Sequence, residues 1–329
     1  MSGSGSNPPQ QKFVMRNDRM RDTNWSHEQA FQHWSTIKEA IYKIYQQQAS
    51  QLSYEELYRT AYSLVLHKHG DLLYQGVKQT TIELFQPMVE RLQRCPDEDI
   101  LKRMNELWKQ VKLCIIMIKD ILMYMDRNYV PKMKLPSMDQ LQTSQFKHHV
   151  VLQPQIRTKL IQMLLSQIDA ERNGHMVEVS QLRQTILMLV ELSSGAAAGG
   201  VVQNKRLYEV EFEKPFIAET QNYYKLESNH YITSSSCYQY LQRAKTRHQQ
   251  ELDRLLSYLD SSSERLLLQT FYKEYIETHA LTLLQMENSG LVSMIRNEKY
   301  DELGLLYELF AKVPEAFQAL GKHLSAYIV

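Results

Sequence analysis

Apolar residues recur along most of this chain in steps of three and four. Leu160, Leu164 and Ile168, and again Leu182, Ile186 and Leu189, follow that rule, which puts each set on one face of a helix turning about 100° per residue. The same period predicts helices near 26–49, 54–68, 70–94, 97–129, 138–149, 153–173, 178–194, 206–232, 234–260, 263–287, 290–297, 299–311 and 315–328. Polar start signals agree with it. Ser26 to Gln29, Ser53 to Glu56, Ser137 to Gln140 and Ser261 to Glu264 have the spacing of a capping box, in which two side chains satisfy backbone N–H groups that a helix start leaves orphaned. Asn173-Gly174 follows a long helical pattern and suits a helix C-terminus better than a hairpin. Of 11 glycines, five sit in the tail (Gly3, Gly5) or in the patch Gly195, Gly199 and Gly200, and the prolines fall between periodic segments. The chain reads as all-α. Short links between many helices favour antiparallel neighbours, as in a bundle or an α-solenoid, and with no fixed-period repeat any repetition must be structural and diverged. Residues 1–24 and the Ala/Gly/Ser-rich stretch 193–204 are expected to be disordered, having too little apolar surface to offset the entropy of ordering.

Charge and cysteine content narrow the function classes. Thirty-eight Lys and Arg against 37 Asp and Glu leave a formal net charge of +1, no excess with which to neutralise a phosphate backbone, so nucleic acid is not an expected partner. The three cysteines, Cys95, Cys114 and Cys237, are far apart and show no CxxC spacing. That favours a reducing compartment, cytoplasmic or nuclear, over a disulfide framework or a zinc module. The greasiest run, 113–125, carries Lys119 and Asp120 and does not suit a membrane span. No apolar stretch follows the small, polar N-terminus as a secretion signal would require.

Candidate chemistry is sparse. His67 and His69 lie two apart and so on different helical faces, which suits solvated or capping roles better than a zinc pair; His148-His149 are adjacent. Asp97-Glu98-Asp99, just after Pro96, more simply supplies an N-cap and first-turn negative charge than an ion site. Cys114 sits in an apolar run where an inert buried sulfur is the default. No GxSxG, glycine-rich phosphate loop or HExxH occurs, so neither an enzyme nor a cofactor has positive support. The aromatic residues are more informative. Tyr54, Tyr58 and Tyr62 stand at i, i+4 and i+8, an arc of about 80°. The stripe flanks Leu57, Ala61, Leu64 and Val65. It could simply widen the core face, or it could be a partner site, since tyrosine supplies rigid amphipathic contact area. Tyr124 and Tyr129 sit on a second aromatic-rich helix that could complete the patch.

Longer blocks carry a family resemblance. Leu52-Ser-Tyr-Glu-Glu-Leu-Tyr-Arg-Thr-Ala-Tyr62, Leu66-His-Lys-His-Gly70 and Met117-Ile-Lys-Asp-Ile-Leu-Met-Tyr-Met-Asp-Arg127 closely resemble the first repeat of the cullin family. Phe212-Glu-Lys-Pro-Phe216, Thr220-Gln-Asn-Tyr-Tyr224, Glu251, Arg254 and Tyr258-Leu259 resemble the second. Met286-Glu-Asn-Ser-Gly290-Leu, Asp301 to Phe310 and Val313-Pro314 resemble the third. The likeness runs in order from about Trp34 to the end.

The resemblance implies an elongated α-solenoid stalk of five-helix repeats: an N-terminal extension over 1–24, a first repeat over 25–150, a second over 151–260 and part of a third over 261–329. It further implies a non-catalytic scaffold of a ubiquitin ligase acting in protein degradation. Within the family, the first repeat is nearest to the branch that takes BTB-domain proteins as combined adaptor and substrate receptor. The adaptor surface carried over is Leu52, Ser53, Tyr54, Glu55, Tyr58 and Tyr62, joined by Tyr124 and Arg127. Tyr54 stands where that branch usually has Phe, so its hydroxyl needs a partner or a water if buried. The resemblance also implies that an apolar part of the extension, with Phe13, Val14, Met15 and Met20 as candidates, docks on the adaptor. The family's RING-box protein and ubiquitin-conjugating enzyme bind a C-terminal half that the resemblance does not cover here, and a third repeat cut at Val329 is expected to expose Leu305, Leu306 and Leu309. The competing reading is an α-helical tether outside the family, such as a vesicle-tethering or HEAT-like protein.

Overall fold

Side-chain caps fix where four of the described α-helices begin. The computed structural model describes residues 25–193 and 207–328, and they are helical throughout, with no strand among them. Ser26 and Ser137 form reciprocal capping boxes with Gln29 and Gln140, opening α1 (His27–Tyr45) and, later, α6 (Met138–Phe146). Ser53 caps α2 (Tyr54–Leu66) by accepting from the Glu56 N–H at 3.5 Å, without the return bond of a full box. α3 (Gly70–Gln93) follows, then α4 (Ile100–Ile121) and α5 (Met123–Lys132). These last two replace the single helix expected over 97–129. The break falls at Leu122 (φ −95°, ψ 13°) with no glycine or proline to announce it. Leu122 is buried beside Ile121 and Met125, and the bend lays α5 along α2 with the Tyr129 ring packed on Gly70. Tertiary packing, not a breaker residue, turns the chain here.

α7 (Pro154–Arg172) ends in the predicted glycine cap. Gly174 has φ +86° and donates to the Glu171 carbonyl, while the His175 N–H reaches that of Ala170, the paired bonds of a Schellman motif. α8 (Val179–Ser193) ends at Ser193, which is ordered, correcting the expectation that a disordered loop starts there: its buried hydroxyl accepts from the Tyr208 N–H at 2.9 Å. The remainder of that loop, and residues 1–24 with the docking candidates Phe13 to Met20, lie outside the described residues. A π-helical stretch over 208–213 leads into α9 (Lys214–Ser234). α10 (Cys237–Ser257) opens on a third capping box, Ser236 with Gln239, that shifts its start from the expected 234. The Ser261 box does not form. Asp260 caps that turn instead, accepting from the Ser262 N–H at 3.0 Å, before α11 (Glu264–Tyr272). α12 (Ala280–Gln285), α13 (Leu291–Arg296), α14 (Tyr300–Phe310) and α15 (Pro314–Ile328) complete the chain. Leu306 and Leu309 are each 1 % exposed and Leu305 is half-buried, contrary to the expectation of a bare apolar end; Tyr300, Tyr307, Phe317 and Tyr327 are the exposed rings there.

Two apolar clusters form the interior. The first runs from α1 through α8 to the start of α9 and takes in Tyr258, Leu259 and Leu267; within it Trp108 stacks on Phe146, which Phe85 meets edge-on. The second holds Tyr224, Tyr240, Phe271 and Tyr275 with the inner faces of α12 to α15. Between them lies buried charge. Glu251, fully buried, accepts from Arg172 Nε at 3.1 Å, Arg172 Nη2 at 3.3 Å, Arg254 Nη1 at 2.9 Å and the Tyr224 hydroxyl. The second Arg172 Nη2 contact is Thr220 Oγ1 at 2.8 Å. Arg247 pairs with Glu227 at 2.7 Å and donates to the Arg172 carbonyl at 2.9 Å, tying α10 to the end of α7.

Two local features give direct stability tests. A Cβ on Gly76 would stand 2.5 Å from Trp34, itself buried, so Gly76→Ala is expected to cost about 1–3 kcal/mol in urea unfolding. The Tyr45 hydroxyl is buried with no hydrogen-bond partner among the described residues, and burial holds its phenol well above the ordinary value. Removing an unsatisfied polar atom is nearly free or better. Tyr45→Phe is expected to leave the melting temperature unchanged or higher, and a clear fall would show that the hydroxyl is satisfied in solution.

Candidate partner-binding face

The tyrosine stripe occupies the edge of α2. Leu57, Ala61 and Leu64 are buried, whereas Tyr58 and Tyr62 are half-buried and Tyr54 is 36 % exposed. The stripe therefore borders the core without joining it. Packing of α5 on α2 brings Tyr124 to Tyr62, with ring centroids 4.4 Å apart at 59°. Thus the bend at Leu122 assembles the two aromatic sets into one face. Leu52, at the turn before α2, packs partly into the first cluster, and Ser53 is the α2 cap. Glu55 is ion-paired with Arg59 one turn along, both side chains about three-quarters exposed, a pair of small energetic weight. Arg127 is exposed and makes no ion pair among the described residues, so Glu55 and Arg127 are not joined to each other. Burial, reinforced by the charge of Asp120, raises the Tyr54 phenol above its ordinary value. Its exposure answers the question of its hydroxyl, which is not a buried group in need of a partner.

Periodicity missed two parts of this region. Leu113 and Ile116 on α4 are 53 % and 55 % exposed, although their greasy surroundings read as core. Phase is the signal that could have separated them, since they lie opposite the buried stripe Val111, Ile115 and Ile118. Trp25 was also unread. Its indole is stacked between His33 and His67, at 4.2 and 4.4 Å, and its carbonyl lies 3.4 Å from His69 Nε2. His67 closes α2 and His69 precedes α3 without a side-chain capping bond.

Other candidates form no site. No group of three or more His, Cys, Asp or Glu converges as metal ligands among the described residues. Asp99 occupies the N-cap position of α4 without a side-chain capping bond, and Asp97 pairs with Lys159 at 2.8 Å, so the acidic triplet is partly spent on α7. Burial pushes the Cys114 thiol up to about 11 and the Cys237 thiol up to about 12, away from nucleophilic use. A cavity of about 560 Å³ between α3 and α4 is lined by Arg94 and Arg103, each paired with a carboxylate on its own helix. No described helix is long and apolar enough to cross a membrane.

Comparison with known proteins agrees with the helical architecture. Residues 34–329 match the family model described as the cullin alpha solenoid domain. Cullin-3 of Dictyostelium discoideum is 36% identical over 295 residues, covering 90% of this chain and 37% of that protein. Cullin-3B of Arabidopsis thaliana is 36% identical over 280 residues, 85% of this chain and 37% of its own length. Cullin-3 of Caenorhabditis elegans is 28% identical over 333 residues, 100% of this chain and 41% of the relative. The chain thus spans about two fifths of the length of these relatives. With the α-solenoid model matching nearly every described helix from Trp34 onward, the chain belongs to the cullin family, on its cullin-3 side.

Proposed function

We propose that this chain is the adaptor-capturing part of a cullin–RING ubiquitin-ligase scaffold and that it binds BTB-domain adaptors through the α2–α5 face. The observation that carries the reading is the Tyr62–Tyr124 contact, which makes one continuous half-buried aromatic surface out of residues far apart in sequence. Half-buried aromatics on rigid helices have the character of binding anchors, because little side-chain entropy remains to be lost on docking. Tyr58 and Tyr62 are the anchors, Tyr54, Leu52 and Ser53 extend the contact, and Glu55 and Arg127 orient the partner through charge-assisted bonds at the rim. The chain does no chemistry itself. It acts in the cytoplasm or nucleus, and the RING-box protein and ubiquitin-conjugating enzyme join such a scaffold outside the matched region.

Calorimetric titration of the folded chain with isolated BTB adaptor domains tests this. Saturable one-to-one binding by at least one of them is expected. Absence of heat across several BTB domains, from protein with the expected helical circular dichroism, would sink the reading. Expressed in excess, the chain is then expected to compete with full-length scaffold and slow turnover of adaptor-bound substrates.

A further inference from the structure

We infer that the charged layer around Glu251 is a joint in the stalk: the apolar cores on its two sides open as separate units, and the orientation between them is set by the Arg172–Glu251–Arg254 geometry. Three helices cross this layer, and each changes core as it does so. α9 has Phe216 in the first cluster and Tyr224 in the second, with Thr220 between. α10 runs from Ala244 in the second cluster through Arg247, Glu251 and Arg254 to Tyr258, just past its end, in the first. α11 passes directly from Leu267 to Phe271. α7 stops at the layer, where Arg172 is its last residue.

Apolar surfaces cohere through area and are indifferent to small rotations, whereas ionic hydrogen bonds are directional. Here the directions are over-determined. Both Glu251 oxygens are engaged by Arg172, one also by Arg254 and Tyr224. The Arg172 guanidinium is also held 5.3 to 5.5 Å from the ring centres of Phe216, Tyr223 and Tyr224. Such a layer specifies one closed arrangement. It adds little net cohesion, because the cost of desolvating buried ions offsets most of their attraction. Coupling between the cores is therefore weakest where their relative orientation is most sharply defined.

Hydrogen exchange and calorimetry of the whole chain separate this from a single cooperative core. Glu251→Gln keeps the shape and removes the anion, leaving Arg172 without its charge partner and Arg254 with Glu171 alone. Exchange at the α9 and α10 amides flanking the layer is expected to accelerate about a hundredfold, as loss of a buried ion pair implies. The central amides of α4 and α14 are expected to keep their protection, and the two transitions of the endotherm to move further apart. Leu164→Ala, deep in the first cluster, should lower only the earlier-core transition. Small-angle scattering of Glu251→Gln below its first transition is expected to show a broader range of dimensions than wild type. A single endotherm that shifts as a unit in both variants, with uniform loss of protection, would overturn separate opening, and an unchanged scattering profile would overturn the orienting role. Should Glu251→Gln not fold, the combined Arg172→Met, Glu251→Leu, Arg254→Met variant decides. It is expected to fuse the cores into one transition, and two transitions in it would overturn the inference.

Discussion

Replacing Arg172 by alanine is expected to destabilise the chain by about 3–5 kcal/mol, among the largest effects of any single substitution in it. The loss is not of one contact. Glu251, fully buried, would keep only Arg254 as a cationic partner, and Thr220 would lose the guanidinium that its hydroxyl accepts from. The space between Phe216, Tyr223 and Tyr224 would also empty. An uncompensated buried carboxylate costs more than its pairing ever contributed, because the reference is water rather than a weaker bond. Urea unfolding followed by circular dichroism reads the change, and a shift below about 1 kcal/mol would mean that solvent reaches Glu251.

The same site fixes how the protein responds to acid. Burial by itself would raise the Glu251 pKa, but the charges of Arg172 and Arg254, with bonds from Arg172 and Tyr224, outweigh it and hold the value below the ordinary 4.5. A carboxyl depressed in the folded state binds protons more readily once unfolded, so its stabilisation is complete above about pH 4.5 and fades as pH falls through the folded value. The urea midpoint is expected to drop in that window in wild type. The drop should be smaller in a variant with all three charges replaced by apolar residues.

Tyr62→Ala is expected to weaken adaptor binding by roughly 2 kcal/mol or more, about thirtyfold in Kd. Truncation removes one anchor and withdraws the ring on which Tyr124 rests, so the α5 part of the face loses its support as well. Because Tyr62 is only half-buried and the core positions of α2 are Leu57, Ala61 and Leu64, the fold should tolerate the change. Titration beside Tyr62→Phe, which keeps the ring, distinguishes lost contact area from a lost hydroxyl bond. Equal affinity for wild type and Tyr62→Ala would keep the family and move the site.

Legibility in the sequence followed the range of the interaction involved. Capping at Ser26 and Ser137, the Gly174 terminus and the core stripe of α2 are set within a few residues, and the sequence displays them. The Tyr54–Tyr62 stripe was visible for the same reason, whereas its union with Tyr124 depends on a bend at Leu122 that no local residue signals. The charged layer is harder to read, because charges on an amphipathic helix ordinarily face water. Arg247, Glu251 and Arg254 lie on the same face of α10 as Tyr240 and Ala244, so phase alone would have placed them inside. Leu306 and Leu309 failed in the opposite sense: their burial comes from the other helices of the second cluster, which periodicity along one helix cannot supply.

Trp25, Trp34 and Trp108, all the tryptophans of the chain, belong to the first cluster or pack against it, and the second is built on tyrosine and phenylalanine rings. The two halves consequently differ in optical character. Indole emission belongs to the N-terminal half alone, and one of its three sources, Trp25, lies between two imidazoles that can quench it. Tyrosine and phenylalanine rings occur in both clusters, so indole emission is an intrinsic label of the first side alone, without any dye being attached.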